Sequence, residues 1–497
     1  MSDIVIEYID SVNIRVRCDE GISNELSSHF EFDVPGAKFS PSFRNRMWNG
    51  KIRLFHKHTK LIYAGLYDYV VKFANDRNYT VQGFEQPNHA DITHDFVREY
   101  CRTLELKASG KAINPHEHQI NGIVHALSHE RCLLLSPTGS GKSLMIYVIA
   151  RYLQTQIPQD RKILLIVPTI SLVSQMYSDF FEYSGKTIWK CRDNVHKIFA
   201  GQEKETDKQI VVSTWQSLFK LPQSYFEQFS AVIVDESHTA KSKSITDIMS
   251  KLKNCPYRIG TTGTLDGTYT NKLVLEGLMG RVNKMTSTKE LMEQNLLSEL
   301  TIDCIVLQYP NDIRQSLKKL TYQDELDWIV GNDSRNDFIA NLSTNLKGNT
   351  LVLFQFVEKH GQPLYDKIQS LAKGRKVFFI HGGVDVDERE SVRHLVEQEE
   401  SAIIVASYGV FQLGINIKRL HNIVFSSPSK SRIRVLQSIG RQLRKSEHKD
   451  AAKLYDISDD LSWKSHQNHT LRHFIERLKI YDSEKFVYKK ILIPIKE

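Results

Sequence analysis

The chain of 497 residues has few cysteines and no clustered ones. Its six (Cys18, Cys101, Cys132, Cys191, Cys255 and Cys304) are scattered, and the nearest two stand 31 positions apart. That spacing excludes a CxxC zinc or redox site and argues against a disulfide framework. Long apolar runs are missing as well, none approaching the ~18 residues that a membrane span requires. The first ten residues hold Asp3, Glu7 and Asp10 but no base, so no signal or transit peptide is expected. Neither a solenoid-length repeat nor a low-complexity tract occurs. With 41% hydrophobic residues, 25% charged residues and a net charge of +8, whole-chain disorder, collagen and coiled coil are excluded. The composition predicts a soluble protein of a reducing cytoplasm, in roughly three domains at about 150 residues each.

What the chain does have is a rhythm of short apolar runs, turns and helical patterns. The first series contains Cys132–Leu135, Ile163–Val167, Ile210–Val212 and Ala231–Val234. The second contains Leu351–Phe354, Lys376–Ile380, Ala402–Val405 and Ile423–Phe425. Continuous apolar runs, unlike alternating ones, mark strands buried on both faces, and intervening helices make parallel crossovers the expected connection. Two α/β domains in tandem follow, placed at 111–290 and 291–497. Residues 1–90 read differently, with Val5, Val12, Ile14 and Val16 in polar-interrupted segments and turns at Pro35-Gly36 and Asn49-Gly50. They predict a small α+β domain. A connector, 91–110, contains a helix from His94 to Leu104.

The strongest local signal runs from Ser136 through Thr138, Gly139, Ser140, Gly141 and Lys142 to Ser143, directly after the strand ending at Leu135. A Gly-rich turn at a strand-to-helix junction gathers backbone N–H groups around a di- or triphosphate, aided by the positive helix end. Lys142 can reach the outer phosphates, and the Ser143 hydroxyl suits Mg²⁺. The full GxxxxGK[ST] pattern is not met, because Ser136 stands where its first Gly should be. Further on, Val232–Val234 leads into Asp235-Glu236-Ser237-His238. An acidic pair at the carboxyl end of a buried strand sits where open parallel sheets bind ligands. Asp235 can hold Mg²⁺ through water, and Glu236 can orient or deprotonate an attacking water. A solvated strand end followed by a helix cap would give the same pair; the phosphate loop favours catalysis. In the second α/β domain Gln437, Arg441 and Arg444 are spaced to share one helix face, with Gly440 permitting close approach. Two guanidiniums there suit the charge that develops on a transferring phosphoryl group.

In this order the motifs resemble those of the superfamily 2 DExH helicases and translocases, over residues 115–444. Ser136 is ordinary in that family. His118-Gln119 resembles its adenine-contacting element, although His118 stands where an aromatic is frequent. Pro168, Thr169, Thr214 and Trp215 resemble residues that touch the nucleic-acid backbone, as do Ser407 and Tyr408 in the second domain. Thr262-Gly263-Thr264 resembles the element linking hydrolysis to movement, and Phe354, His381-Gly382 and Ala406 through Gly414 to Asn416 follow in order. The resemblance implies two RecA-like domains with ATP between them. Gln119, Thr138, Gly139, Ser140, Gly141, Lys142, Ser143 and Gly414 would bind the nucleotide, and Mg²⁺ would lie at Ser143 and Asp235. Gln437 would align the water or γ-phosphate, and Arg441 and Arg444 would act as arginine fingers. A nearer resemblance, including the stretch from Phe43 to Leu54, is to the branched-DNA helicases of the T-even bacteriophages. It implies ATP-dependent remodelling of forks, Holliday junctions and R-loops in phage recombination, replication and repair, with single-strand annealing. Partners would be branched double-stranded DNA, single-stranded DNA, RNA–DNA hybrids, and phage recombination or single-strand-binding proteins. The expected form is a monomer, off the membrane, in the cytoplasm of the infected bacterial host.

Lys38 to Lys60 carries seven cations (Lys38, Arg44, Arg46, Lys51, Arg53, Lys57 and Lys60) and no acid, with Phe39, Phe43, Trp48 and Phe55 interleaved. Cations neutralise phosphates, and exposed rings stack on unpaired bases. The aromatics are expected mainly in the core of this domain, whereas Arg44, Arg46, Lys51 and Arg53 are expected on DNA phosphates. A second basic stretch runs from Lys418 to Lys449. The histidine pairs His56/His58 and His116/His118 have no cysteine or further histidine at ligand spacing and are read as non-ligands. Two other readings share these features: an annealing or binding protein with a regulatory ATPase, and an RNA helicase. Backbone contacts carry little base information and do not separate DNA from RNA.

Overall fold

The computed structural model describes residues 2–34, 36–185, 187–199, 201–238, 243–265, 268–413, 417, 419–428, 431, 435, 438–440 and 451–495. They form two compact units, one of residues 1–136 and 141–285, the other of 137–140 and 286–497. No described helix is long and apolar enough to cross a membrane.

In the first unit the apolar runs pair into a seven-stranded parallel sheet. Its order is Val195–Ile198, Ile210–Thr214, Lys162–Val167, Phe229–Val234, Tyr257–Thr262, Arg131–Leu135 and Val282–Lys284. Successive side chains of a strand point to opposite faces, and the two faces have separate cores. Cys132, Leu134, Ile163, Leu165, Val212 and Ile233 pack with the helix Lys142–Gln156, whose middle is buried on all sides. Leu133, Leu164, Val211, Val232 and Val234 share the other core with Ile14, Leu26, Phe30 and Phe73 from the N-terminal region.

That N-terminal region is a four-stranded sheet in the order Leu61–Tyr63, Asn13–Arg17, Ile4–Tyr8 and Val81–Gln82. Its first three strands are antiparallel and the last is parallel. Helices Glu20–His29 and Tyr67–Asn75 complete it; Asp19 caps the first by accepting from the Ile22 N–H at 2.8 Å. The module is fused to the seven-stranded sheet by close packing. Gly65 lies so near helix Tyr269–Met279 that a Cβ there would sit 2.0 Å from the Glu276 carbonyl oxygen. Tyr69 donates to Glu276 Oε2 at 2.6 Å, and Arg131 Nη2 donates to the Ser11 carbonyl at 2.6 Å.

The second unit repeats the seven-stranded parallel design. Its order is Val377–Ile380, Ile403–Ser407, Thr350–Phe354, Asn422–Phe425, Ala451–Asp460, Glu299–Gln308 and Val487–Pro494. Strand Ala451–Asp460 carries Asp456 and Asp459 into the interior, where each meets a buried arginine. Arg477 bonds both oxygens of Asp456, and Arg335 Nε donates to Asp459 Oδ1 at 2.8 Å. Both sheets are therefore RecA-like and parallel, with a small α+β region before them, as the sequence predicts.

Candidate nucleotide site and nucleic-acid contacts

Three adjacent strands of the first sheet end together and gather the predicted nucleotide residues. Strand Tyr257–Thr262 lies between the strand that leads to the phosphate loop and the one that ends before Asp235. Ser136 is buried, and its N–H donates to the Thr262 carbonyl at 2.9 Å. The chain then turns through Gly139 (φ 88°) and Gly141 (φ 80°) into the helix beginning at Lys142. Left-handed glycines between other residues form the kind of backbone concavity that binds anions. Lys142 Nζ donates to the Ser136 carbonyl at 3.1 Å, and Ser143 Oγ lies 2.8 Å from the Tyr183 hydroxyl. Gln119 is held by its own backbone context. Its Oε1 accepts from the His116 N–H at 2.7 Å, while Nε2 donates to the Gly141 carbonyl at 3.3 Å. A Cβ on Gly141 would lie 2.2 Å from that Nε2, so only glycine lets the amide dock there.

The acidic pair is held just as closely. Asp235 Oδ1 accepts from Thr261 Oγ1 at 2.7 Å and from the Glu236 N–H at 2.9 Å. Burial pushes the Asp235 carboxyl above its ordinary range, and the charge of Glu236 adds to this; the Lys142 ammonium and the Thr261 hydroxyl oppose it. Glu236 has φ 49°, a left-handed backbone uncommon outside glycine. Its Oε2 lies 3.3 Å from His238 Nδ1, which is 3.0 Å from Thr262 Oγ1. Thr262 Oγ1 donates onward to the Thr264 carbonyl at 2.9 Å, so it is free to accept from the imidazole. Hydrogen bonds join His238 to Thr262 and Thr264, and Asp235 to Thr261, so the DExH residues and the Thr261–Thr264 stretch sit against one another. Thr261 and Tyr183 escaped sequence reasoning. Thr261 adjoins a recognised motif, but nothing marks Tyr183, 40 positions from Ser143.

Gly414, Gln437, Arg441 and Arg444 lie outside the described residues, as do the cations of the second basic stretch apart from Arg419. Arg419 donates to the Glu397 carbonyl at 3.4 Å. Pro168 and Thr169 follow the strand Lys162–Val167, and Val167 pairs in register with Thr214, so these motifs are brought together. Thr169 caps helix Ile170–Ser184 by accepting from the Leu172 N–H at 3.3 Å. Pro168 and Thr214 are buried, with Thr214 Oγ1 3.1 Å from Ser217 Oγ; Trp215 is half-buried against Phe219. Ser407 ends its strand half-buried beside Phe354, whereas Tyr408 is 3% exposed and donates to the Ser427 carbonyl at 3.3 Å. Thr214 and Tyr408 therefore shape this end of their sheets from within.

The N-terminal cations divide into two groups. Lys51 and Arg53 sit on a strand paired with Glu31–Asp33, and both bind the Glu31 carboxylate, at 2.7 and 2.5 Å. Their hydrogen bonds hold Glu31 below its usual pKa. Lys38, Arg44 and Arg46 are exposed and have no carboxylate partner among the described residues. The aromatics depart from expectation: Phe55 is buried and Trp48 half-buried, but Phe39 is 66% and Phe43 38% exposed. The segment between Asp33 and Lys51 folds into two turns of helix, Ala37–Phe39 and Pro41–Arg44, too short to enclose its own rings.

Sequence comparison decides the family. The ATP-dependent DNA helicase UvsW of Enterobacteria phage T4 is 36% identical to this chain over 98% of each protein. The chain belongs to the UvsW family of DNA helicases. The family profile for the N-terminal part of the DNA helicase UvsW matches residues 3–83, that of the type III restriction enzyme res subunit matches 108–267, and that of the helicase conserved C-terminal domain matches 334–446. The crystal structure of T4 UvsW aligns over 99% of both chains at 33% identity, with a TM-score of 0.53. A fragment of a putative HsdR subunit of a type I restriction enzyme from Vibrio vulnificus shares the fold, with a TM-score of 0.56 at 16% identity over 76% of this chain and 69% of that one. As a UvsW-family helicase, the protein is an ATP hydrolase that acts on nucleic acid.

Proposed function

We propose that this helicase remodels branched DNA (forks, Holliday junctions and R-loops) during phage recombination, replication and repair. It works as a monomer in the cytoplasm of the infected bacterium, alongside phage recombination or single-strand-binding proteins. The observation that carries this reading is the N-terminal module, which joins exposed, unpaired cations to the motor sheet in one packed unit and so offers a second DNA arm a fixed grip.

In the reaction, the N–H groups of 138–143 and the Lys142 ammonium hold the outer phosphates of ATP, while Gln119 faces the adenine. Glu236 orients the attacking water and takes its proton, steadied by His238. Gln437 aligns that water, and Arg441 and Arg444 balance the charge that grows on the departing phosphoryl group. The donor set also fits Mg²⁺: a carboxyl pushed up by burial and a neighbouring acid gains from a cation, and a hydroxyl opens the adjoining helix. Ser143 and, through water, Asp235 would hold the ion, which supplies charge neutralisation to the phosphates. Pro168, Thr169 and Trp215 in the first unit, and Ser407 in the second, contact the nucleic-acid backbone, with Thr214 and Tyr408 supporting them each within its own sheet.

The exposed rings favour one second reading, strand annealing in which ATP turnover governs release. A single experiment separates the two. ATP hydrolysis is measured with branched DNA, single-stranded DNA and RNA, with strand separation followed in the same tubes, beside Lys142→Ala. Stimulation by branched DNA with strand separation, both lost in the variant, is the expected result. Annealing that survives Lys142→Ala, without strand separation by the parent, would favour the second reading; stimulation by RNA alone would overturn the substrate.

A further inference from the structure

The segment between Asp33 and Lys51 encloses an open cleft of about 570 Å³ lined by Lys38, Phe43, Arg44, Arg46, Trp48 and Asn49. That volume falls within the ~300–1,000 Å³ of small-ligand sites. Phosphate contact alone calls only for cations on a convex surface, yet here they ring an aromatic floor. Phe43 is 38% exposed inside the cleft, with Phe39 at 66% and Met47 at 81% nearby. The Trp48 ring is fixed by its Nε1–H, which donates to the Lys51 carbonyl at 2.8 Å. Arg46 is held in a left-handed backbone (φ 55°), which costs energy in a side-chain-bearing residue and brings Arg44, Arg46 and Trp48 into one short loop. No acid lies between Asp33 and Asp68, and the nearby Glu31 is already occupied by Lys51 and Arg53.

We propose that this cleft takes one unpaired nucleotide of single-stranded DNA, its base stacked on Phe43 and Trp48 and its flanking phosphates on Lys38, Arg44 and Arg46. A base within an intact duplex is already stacked on its neighbours and is not presented to a ring, so the cleft selects the unpaired strand at a branch. Recognition is indifferent to base identity, because every base offers a π-face. The inference rests on the DNA-remodelling reading above and names the feature of the branch that the N-terminal module senses.

The test uses the full chain and two oligothymidylates of equal length, one intact and one carrying abasic residues, titrated by fluorescence anisotropy without nucleotide. The parent protein should bind the abasic strand about tenfold more weakly, the order expected of one base–aromatic stack. Phe43→Leu should bind the two strands alike, and Phe43→Tyr should restore the difference. Thermal unfolding of each variant checks that the exposed position has not disturbed the fold. Equal binding of both strands by the parent, or a tenfold difference that persists in Phe43→Leu, would overturn the proposal. If Arg44→Gln/Arg46→Gln still lowers the salt dependence of binding in that case, phosphate contact by the module stands while base stacking falls. Failure of the motor reading shows separately, in the Lys142→Ala comparison.

Discussion

Replacing Arg258 would remove the polar tie at the amino end of strand Tyr257–Thr262, opposite the end that carries the nucleotide residues. The side chain is 0% exposed and makes no ion pair within 4 Å among the described residues, although the Asp10 charge is felt there. Its Nε donates to the Leu278 carbonyl at 2.7 Å, Nη1 to Leu252 at 3.0 Å and Nη2 to Met249 at 2.9 Å. Those carbonyls close helices Lys243–Lys251 and Tyr269–Met279, where the last turn lacks internal partners and carries partial negative charge. Arg258 therefore caps two helix ends at once. Arg258→Met keeps the bulk and strands three buried acceptors, at about 1–3 kcal/mol each. Burial already lowers the arginine's pKa, and relief of that desolvation, worth several kcal/mol, works against the loss. A net destabilisation of about 3 kcal/mol is expected, or about 5 °C in the unfolding midpoint of a unit this size. Circular dichroism melts of the parent, Arg258→Lys and Arg258→Met provide the assay, with lysine intermediate because it keeps the charge but not the fork. A methionine variant as stable as the parent, and more stable than the lysine variant, would falsify the double-cap argument.

Further outcomes follow from other contacts. His360 is wholly buried, and burial with the nearby Arg335 charge depresses its pKa to about 3. The unfolded chain takes up that proton first, near pH 6.5, so stability falls as pH drops below 6.5, by about 1.4 kcal/mol per unit until about pH 3. Urea titrations across this range should show the slope reduced by one proton in His360→Asn. Gly65→Ala, with no room beside Glu276, should cost about 1–3 kcal/mol or more and admit protease into residues 1–90. Arg44→Gln/Arg46→Gln should lower the slope of log K against log salt by about 1.4–1.8, whereas Lys51→Gln/Arg53→Gln should change it by less than about 0.5. Glu236→Gln should retain nucleotide binding while hydrolysis falls by orders of magnitude, measured as single-turnover phosphate release.

Strands that read directly from the sequence were those built on an unbroken apolar run to bury, such as Ile163–Val167 and Leu351–Phe354. Those that did not read so carry polar residues satisfied by distant partners. Tyr257–Thr262 contains Arg258 and Gly260, and Ala451–Asp460 contains Asp456, Ser458 and Asp459; only the fold brings Arg477 and Arg335 to the two aspartates. The phosphate loop and acidic pair were legible because their chemistry is local in sequence. Tyr183 at Ser143 and Thr261 at Asp235 depend on which strands and helices become neighbours. In the N-terminal module, charge counting marked the basic island but gave Lys51 and Arg53 the same standing as Arg44 and Arg46. The strand register that sets Glu31 opposite Arg53 is what distinguishes them.

The seam at Gly65 also sets how load passes through the protein. A core lacking residues 1–90 would expose the backbone of Glu276 and Gly277, leave the Glu276 carboxylate without Tyr69, and strip apolar cover from Leu273 and Leu278. Such a fragment would be a wounded motor, not a minimal one. Were DNA held by Arg44 and Arg46 as proposed, tension on it would pass to helix Tyr269–Met279 through the close main-chain approach of Gly65 to Glu276. That helix begins five residues after Thr264, so such a load would arrive beside the element that carries Thr262, Thr264 and, through His238, Glu236.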